Sequence, residues 1–161
     1  MKLNKSGVTL VELMVVVAIM AVLLTFATFT ISALTGAKGK DCATKIVTAM
    51  EQTRVYAMSH SGEYPLEIYL DDGGNVIIDS YNGTQEAGKH GVSVTYQMSG
   101  SDEEVALGDK SNSLKFTFKQ TTGSFNGVTC EYINVYSNGF RYRLHLYKTT
   151  GKVEMTKEAV S

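Results

Sequence analysis

The residue whose position most clearly requires a chemical role is Glu12, the only charged side chain between Val8 and Ala37. A carboxylate at the centre of a bilayer costs about 2.5 to 3.5 kcal/mol, so such an acid persists mainly where it has a partner. A cut after Gly7 would create that partner, because the new amine on Val8 would be a cation in the same interfacial layer. The chemistry expected here is an ion pair, within one chain or between neighbouring copies.

The other chemically active residue types form no recognisable catalytic or metal-binding set. His60, His90 and His145 are isolated, without a carboxylate or cysteine at ligand spacing, so we expect no metal ion and no cofactor. Cys42 and Cys130 are the only cysteines, and they either form a disulfide or are two buried free thiols. We therefore expect that the protein is not an enzyme.

The segment from Asp71 to Asn75, with the sequence DDGGN, has two interpretations. Together with Asp79, its oxygen atoms could coordinate a calcium ion, which prefers carboxylate and amide ligands. The same residues are also typical of a turn between two strands, because glycine and asparagine accept the backbone angles of tight turns. The full pattern of a calcium loop is absent, so the turn is the favoured interpretation.

Four basic residues near the C-terminus are candidate contacts for DNA, namely Arg141, Arg143, Lys148 and Lys152. If they share an exposed face, they would line a phosphate-binding stripe. The competing interpretation is that alternate polar residues of an antiparallel strand simply face water. This second interpretation is favoured, because the stripe is short and has few base-stacking partners. The net charge of −1 gives no support to a nucleic-acid partner either.

The N-terminus consists of a short positive leader, residues 1–7 with Lys2 and Lys5, and an apolar run that ends near Leu34. A helix needs about 20 residues to cross a bilayer, so a membrane-spanning helix is predicted over residues 8–35. The leader charge would keep the N-terminus in the cytoplasm. A secretory signal peptide fits less well because the run is long, and a plain signal anchor gives no reason for Glu12.

The sequence from Ser6 to Ile19, SGVTLVELMVVVAI, resembles the class III signal of type IV pilins and type II secretion pseudopilins. The resemblance implies that a prepilin peptidase cleaves after Gly7 and methylates Val8, and that Glu12 becomes the fifth residue of the mature chain. Val8 departs from the phenylalanine that the family most often has at this position. Neutralisation of Glu12 by the amine of a neighbouring subunit would then fix the register of assembly.

The remainder of the chain predicts an α+β fold. Residues 36–61 read as an amphipathic continuation of the helix, which Gly36 and Gly39 either end or loosen. From Tyr64 the periodicity changes to two, and residues 62–161 are predicted as a β-rich head of about six antiparallel strands covering the helix. The predicted strands lie near 66–70, 76–79, 92–98, 114–118, 130–136, 140–147 and 153–155. Ser101 to Glu104 is predicted as an acidic, solvent-facing loop.

Parts of the head resemble the H-type minor pseudopilins and the FimT group. The resemblance lies in the helix ending RVYAMS at residues 54–59, the FTF strand at 116–118 and the TGK turn at 150–152. It implies a minor subunit, and DNA binding occurs among FimT-like proteins. Both resemblances concern one protein class. They therefore predict one shared architecture, a long helix whose second half packs on a β-sheet head.

The pilin resemblance implies a function, a set of partners and a location. The expected function is that of a structural subunit of a type IV pilus or a type II secretion pseudopilus. Expected partners are prepilin peptidase, other pilin or pseudopilin subunits, the inner-membrane assembly platform and membrane lipid. The chain would be a single-pass inner-membrane protein with an extracytoplasmic head, and then part of a periplasmic or surface filament. The alternative is a membrane-tethered binding domain, adhesin-like or DNA-capturing, that does not polymerise.

Overall fold

The computed structural model describes the backbone of residues 10–160 and the side chains of residues 10–21 and 37–160. The chain divides into two compact units between Leu34 and Thr35. The predicted cleavage and methylation residues, Gly7 and Val8, lie outside the described residues. The described part of the chain therefore begins at Leu10, two residues before Glu12.

The first element is the helix α1, Leu10–Ser59. Alanine, the residue with the highest helix propensity, is its most frequent residue, and it contains no proline, which favours a helix. Gly36 and Gly39 fall inside α1 and do not end it. The helix stops after Ser59, whose hydroxyl donates hydrogen bonds of 3.1 and 3.0 Å to two carbonyls of the last turn.

Across the described residues, nine strands form two antiparallel sheets. The first sheet contains β1 (Leu66–Leu70), β2 (Val76–Ser80), β3 (Gly83–Gly88) and β6 (Leu114–Phe116), in the spatial order β3-β2-β1-β6. The second contains β4 (Ser93–Met98), β5 (Glu104–Ala106), β7 (Cys130–Ser137), β8 (Phe140–Tyr147) and β9 (Lys152–Ala159), in the order β5-β4-β7-β8-β9. One turn of 3-10 helix, Lys110–Asn112, precedes β6.

The predicted α+β class is confirmed, whereas the prediction of about six strands in a single sheet was wrong. The strands that the sequence does not indicate are β3 and β5. In β3 the sequence GTQEAG has a glycine at each end and no alternation of apolar and polar residues. β5 is three residues long, and its first residue, Glu104, belongs to the segment predicted as an acidic loop.

The two faces of the second sheet are separated by the alternation in β8. Tyr142, Leu144 and Leu146 are buried on one face, while Arg141 and Arg143 lie on the other. We refer to the face that carries Tyr142 as the inner face and to the face that carries Arg141 as the outer face. The inner face packs on α1, because Tyr142 borders Gly39 of the helix.

Two glycines allow α1 to pack closely on the head. A Cβ atom on Gly39 would lie 2.6 Å from Cβ of Ser137, in the second sheet. A Cβ atom on Gly88, in β3 of the first sheet, would lie 2.9 Å from Sγ of Cys42. Both distances are too short for a side chain, so the helix backbone approaches both sheets directly. The helix residues buried in this packing are Cys42, Ala43, Ile46, Ala49, Met50, Thr53 and Ala57.

The C-terminal part of α1 is held at a junction of two loops. Nε of Arg54 donates a hydrogen bond of 3.0 Å to the carbonyl oxygen of Gly123. Gly151, in the turn between β8 and β9, is so close that a Cβ atom on it would lie 1.9 Å from the same oxygen. Both glycines have positive φ, +65° for Gly123 and +67° for Gly151. We call these three residues the glycine junction.

Candidate functional site

Apart from Glu12, the first described part of α1 is apolar on all sides. Between Leu10 and Met20, the large apolar side chains are between 45% exposed, at Val16, and 72% exposed, at Leu10. A helix that is hydrophobic all round requires an apolar environment, either a membrane or the core of a larger assembly. This segment is therefore a candidate surface for association with lipid or with other apolar helices.

The predicted membrane-spanning helix covers residues 8–35, which include residues that the structure does not describe. Within the described residues, no helix combines the length and the apolar character that crossing a membrane requires.

Glu12 lies in the first turn of α1, where it is the only acidic residue. An acid at this end of a helix interacts favourably with the helix dipole. The Glu12 side chain is exposed in the single chain, and its neighbours on the helix are apolar. The position suits an acid that meets a cation on a neighbouring molecule, and the pairing with the Val8 amine stays a prediction.

Arg141, a member of the predicted basic stripe, is held by carboxylates on the outer face. Its Nε donates a hydrogen bond of 3.0 Å to Glu158 on β9, and its Nη2 contacts the same carboxylate. Nη1 lies 3.8 Å from Glu104 on β5. The hydrogen bond from Arg141 lowers the pKa of the Glu158 carboxyl, and the bond to Glu158 raises the pKa of Arg141. Arg141 is therefore largely neutralised.

Glu104 also organises the hydroxyl groups around Arg141. It accepts hydrogen bonds from the Tyr136 hydroxyl at 2.8 and 2.9 Å and from the Thr95 hydroxyl at 2.6 Å. Partial burial, together with the bond to Glu104, raises the pKa of the Tyr136 hydroxyl. The outer face thus carries a hydrogen-bonded network that links β4, β5, β7, β8 and β9.

The remaining residues of the predicted stripe do not join Arg141 in one cluster. The Arg143 guanidinium lies 5.2 Å from the centre of the Tyr132 ring, and its Nε donates a hydrogen bond of 3.3 Å to Oδ1 of Asn134. Lys148 follows β8, and Lys152 begins β9 opposite Tyr147. In the part of the chain that the structure describes, neither lysine forms an ion pair.

Aromatic and acidic residues that the sequence does not bring together surround the basic residues of the outer face. His145 stacks on Tyr132, with ring centres 4.7 Å apart, and contacts Tyr147, with centres 4.2 Å apart. The Tyr147 hydroxyl donates to Glu154 at 2.8 Å. Alternation in β7 does place Tyr132 on the outer face, but only the pairing of β7 with β8 brings it to His145. The outer face is a mixed surface and not a free basic stripe.

Cys42 and Cys130 are both buried free thiols in the structure. Cys130 Sγ lies 3.3 Å from the carbonyl oxygen of Tyr132, to which it donates. Cys130 and Ser137 are at opposite ends of β7, about 23 Å apart at about 3.3 Å per residue. Cys42 lies one helical turn from Gly39, which borders Ser137. The two cysteines are therefore well beyond the roughly 7 Å between Cα atoms that a disulfide requires.

We expect both thiols to be titratable in protein that has been unfolded without a reducing agent. In folded protein, alkylation should be slow, because burial raises the pKa of both thiols to about 12. Mass spectrometry after alkylation, with and without unfolding, measures both quantities, and a fully reduced sample is the control. Absence of free thiol in the unfolded, non-reduced sample would contradict this expectation.

The carboxylate of Asp71 is used by its own turn. It accepts hydrogen bonds from the amides of Gly73 and Asn75 at 2.9 and 2.8 Å, and from Nδ2 of Asn75 at 3.0 Å. The bonds from Asn75 lower the pKa of the Asp71 carboxyl. This geometry is that of the predicted turn between β1 and β2. Among the described residues, no group of three or more histidine, cysteine, aspartate or glutamate side chains is arranged to hold a metal ion.

Comparison with known families connects the N-terminal segment to a processing signal. The prokaryotic N-terminal methylation motif matches residues 2–28. The match covers 27 of the 161 residues and includes Gly7, Val8 and Glu12. Comparison with curated proteins and with solved structures found no match. The chain thus carries a type IV pilin-like signal at its N-terminus, which confirms that part of the predicted resemblance.

Proposed function

We propose that the chain is a minor structural subunit of a type IV pilus or a type II secretion pseudopilus. In this proposal a prepilin peptidase cuts the chain after Gly7 and methylates Val8, and the mature chain assembles through α1. The observation that carries the proposal is the methylation motif at residues 2–28. The exposed apolar segment from Leu10 to Met20 supports it, because that segment requires partners.

The physical basis of assembly is that the apolar helix moves from the lipid of the membrane to the helix-packed interior of the filament, and both exclude water. Before assembly the helix lies in the inner membrane, with the head outside the cytoplasm. In the filament its side chains pack against the helices of neighbouring subunits, where van der Waals contacts replace contacts with lipid. Glu12 is the exception to this apolar packing. Its pairing with the Val8 amine of a neighbour admits one register and disfavours the others.

The proposed role of the head is structural and not enzymatic. Its outer face carries side chains that satisfy one another, as in the network around Glu104 and Arg141. A surface of this kind is suited to stable exposure on a filament. The proposed partners are prepilin peptidase, the inner-membrane assembly platform, membrane lipid and other pilin or pseudopilin subunits.

The N-terminus of the protein isolated from cells that contain a prepilin peptidase tests this proposal. We expect a mature chain that begins with N-methylated Val8, detected by mass spectrometry of the intact protein and of its N-terminal peptide. Gly7→Leu is expected to remain uncut and unassembled, because the peptidase no longer meets glycine at the cleavage position. Gly36→Leu, a matched change within α1, is expected to be cut normally.

The alternative function predicts a different N-terminus. A membrane-tethered binding domain that never polymerises would retain Met1 or begin at an unmethylated residue. Finding an intact Met1 in wild-type protein, or assembly of uncut Gly7→Leu, would reject the proposed function.

A further inference from the structure

A small polar groove lies between α1 and β3. It has a volume of about 140 Å³ and is lined by the charged residues Lys38, Asp41, Lys45, Glu86 and Lys89. We call these five residues the lysine groove. The volume is comparable to that of a small polar group and too small for a folded partner.

The groove is built by one face of the helix and one end of a strand. Lys38, Asp41 and Lys45 are three and four residues apart, so they line up on one side of α1. Gly88 in β3 lies directly against Cys42 of this part of the helix, where a Cβ atom would be 2.9 Å from the sulfur. This close approach fixes the residues on either side of Gly88 next to the helix.

The charges of the groove do not cancel. Nζ of Lys45 lies 2.8 Å from Asp41, and Nζ of Lys89 lies 3.4 Å from Glu86. Both pairs are solvent-exposed, and exposed ion pairs of this kind are weak and exchange partners readily. Lys38 forms no ion pair with any residue that the structure describes.

Lys40, two residues from Lys38, lies on another side of α1 and does not line the groove. The groove itself holds three ammonium groups and two carboxylates. The excess of one positive charge favours an anion over a neutral or cationic ligand.

The place of these lysines in the chain indicates where the anion comes from. Lys38 is four residues beyond Leu34, the end of the apolar run. This separation is about 6 Å in a helix and no more than about 14 Å in an extended chain. The headgroup layer of a bilayer extends roughly 5 to 8 Å beyond the hydrocarbon on each side. If Leu34 lies at the edge of the hydrocarbon, Lys38 therefore lies in or beside the headgroup layer.

We propose that the lysine groove binds the phosphate of an anionic phospholipid headgroup and so holds the head against the membrane surface before assembly. The proposal rests on the proposed function, because it requires the apolar run to be inserted in a bilayer. Basic residues close to an anionic membrane surface are attracted to it in this way. Leaving the membrane for a filament would then release the headgroup.

The test uses the full chain reconstituted in vesicles, with trace labelling of lysines by a membrane-impermeant acetylating reagent. Labelling rates are read for each lysine by mass spectrometry, in vesicles of phosphatidylcholine alone and in vesicles that also contain phosphatidylglycerol. We expect labelling of Lys38 and Lys89 to be about fivefold slower in the anionic vesicles. The difference should disappear in about 1 M salt, where the screening length is about 3 Å. Lys119, exposed elsewhere on the head, should label equally in both.

A pair of matched variants separates the groove from general positive charge. Lys38→Gln/Lys89→Gln is expected to abolish the slower labelling of Lys45, the remaining lysine of the groove, in anionic vesicles. Lys119→Gln/Lys152→Gln removes the same number of charges from exposed positions and should leave the labelling of Lys45 as in wild type.

Three outcomes would overturn the proposal. The first is that Lys38 and Lys89 label at equal rates in the two kinds of vesicle, and the second is that labelling of Lys119 slows as much as theirs. The third is that inorganic phosphate alone slows the labelling of Lys38 and Lys89 in detergent, which would indicate a site for free phosphate. Flotation of the vesicles in about 1 M salt reports insertion of the apolar run separately. A chain that does not float contradicts the membrane step of the proposed function, whereas a chain that floats with unprotected lysines contradicts only the lysine groove.

Discussion

Replacing Glu12 with alanine is expected to leave cleavage after Gly7 intact and to abolish assembly of the mature chain. Opposite charges about 4 Å apart attract each other by about 4 kcal/mol at an effective dielectric constant of 20. Loss of this attraction would lower the association constant for each added subunit roughly a thousandfold. The variant also leaves the Val8 amine without its counterion among apolar helices, which weakens association further. Sedimentation of sheared filaments measures assembly, and the mass of the N-terminus measures cleavage.

Two companion variants make the interpretation of this result specific. Glu12→Gln keeps the size and hydrogen-bonding ability of the side chain, and it is expected to be as defective as alanine because the charge is what is required. Glu51→Ala removes an exposed acid from another part of α1 and is expected to assemble like wild type. Normal assembly of Glu12→Ala would show that the ion pair does not set the register.

The largest effect on stability is expected for Gly151→Ala at the glycine junction. The new Cβ atom would lie 1.9 Å from the carbonyl oxygen of Gly123, which accepts the hydrogen bond from Arg54. Alanine at φ +67° costs about 1 to 2 kcal/mol, and the steric overlap adds about 1 to 3 kcal/mol. A loss of about 2 to 5 kcal/mol in the free energy of unfolding is expected, measured by urea denaturation of the full chain in detergent with near-UV circular dichroism.

The chain contains a suitable control for the backbone part of this effect. Gly127 has φ +69°, and a Cβ atom on it would meet nothing within 4 Å. Gly127→Ala is therefore expected to lose only the about 1 to 2 kcal/mol that the backbone angle costs. The difference between the two variants measures the crowding at Gly151, and equal losses would mean that Gly123 moves aside freely.

Local sequence patterns predict the parts of the fold that depend on neighbouring residues. The turn between β1 and β2 is an example, because Asp71 and Asn75 supply its hydrogen bonds within five residues. The alternation from Phe140 to Tyr147 similarly predicts both the strand β8 and its buried face. In the candidate site, the methylation motif is a local pattern too, because its residues are consecutive in the chain.

Features that depend on distant residues could not be predicted in this way. Arg141 belongs to an alternating strand, but its partners Glu158 and Glu104 lie 17 and 37 residues away and reach it only through the order of the second sheet. Strand β3 forms because β2 offers it a partner, and its own sequence lacks strand character. The separation of Cys42 from Cys130 likewise follows from how α1 lies on β7.

Two of the contacts that attach α1 to the head lie far apart along the helix, and they affect how the protein responds to mechanical tension. Gly39 borders the second sheet near one end of the docked helix, and Arg54 bonds to Gly123 near the other, about 22 Å further along. A force along the helix axis loads both contacts at once, in shear. A force perpendicular to the axis would instead open the contacts one after another, as in peeling. Rupture along the axis then requires the whole interface to slip together, so the head stays attached to a helix that is pulled from its N-terminal end.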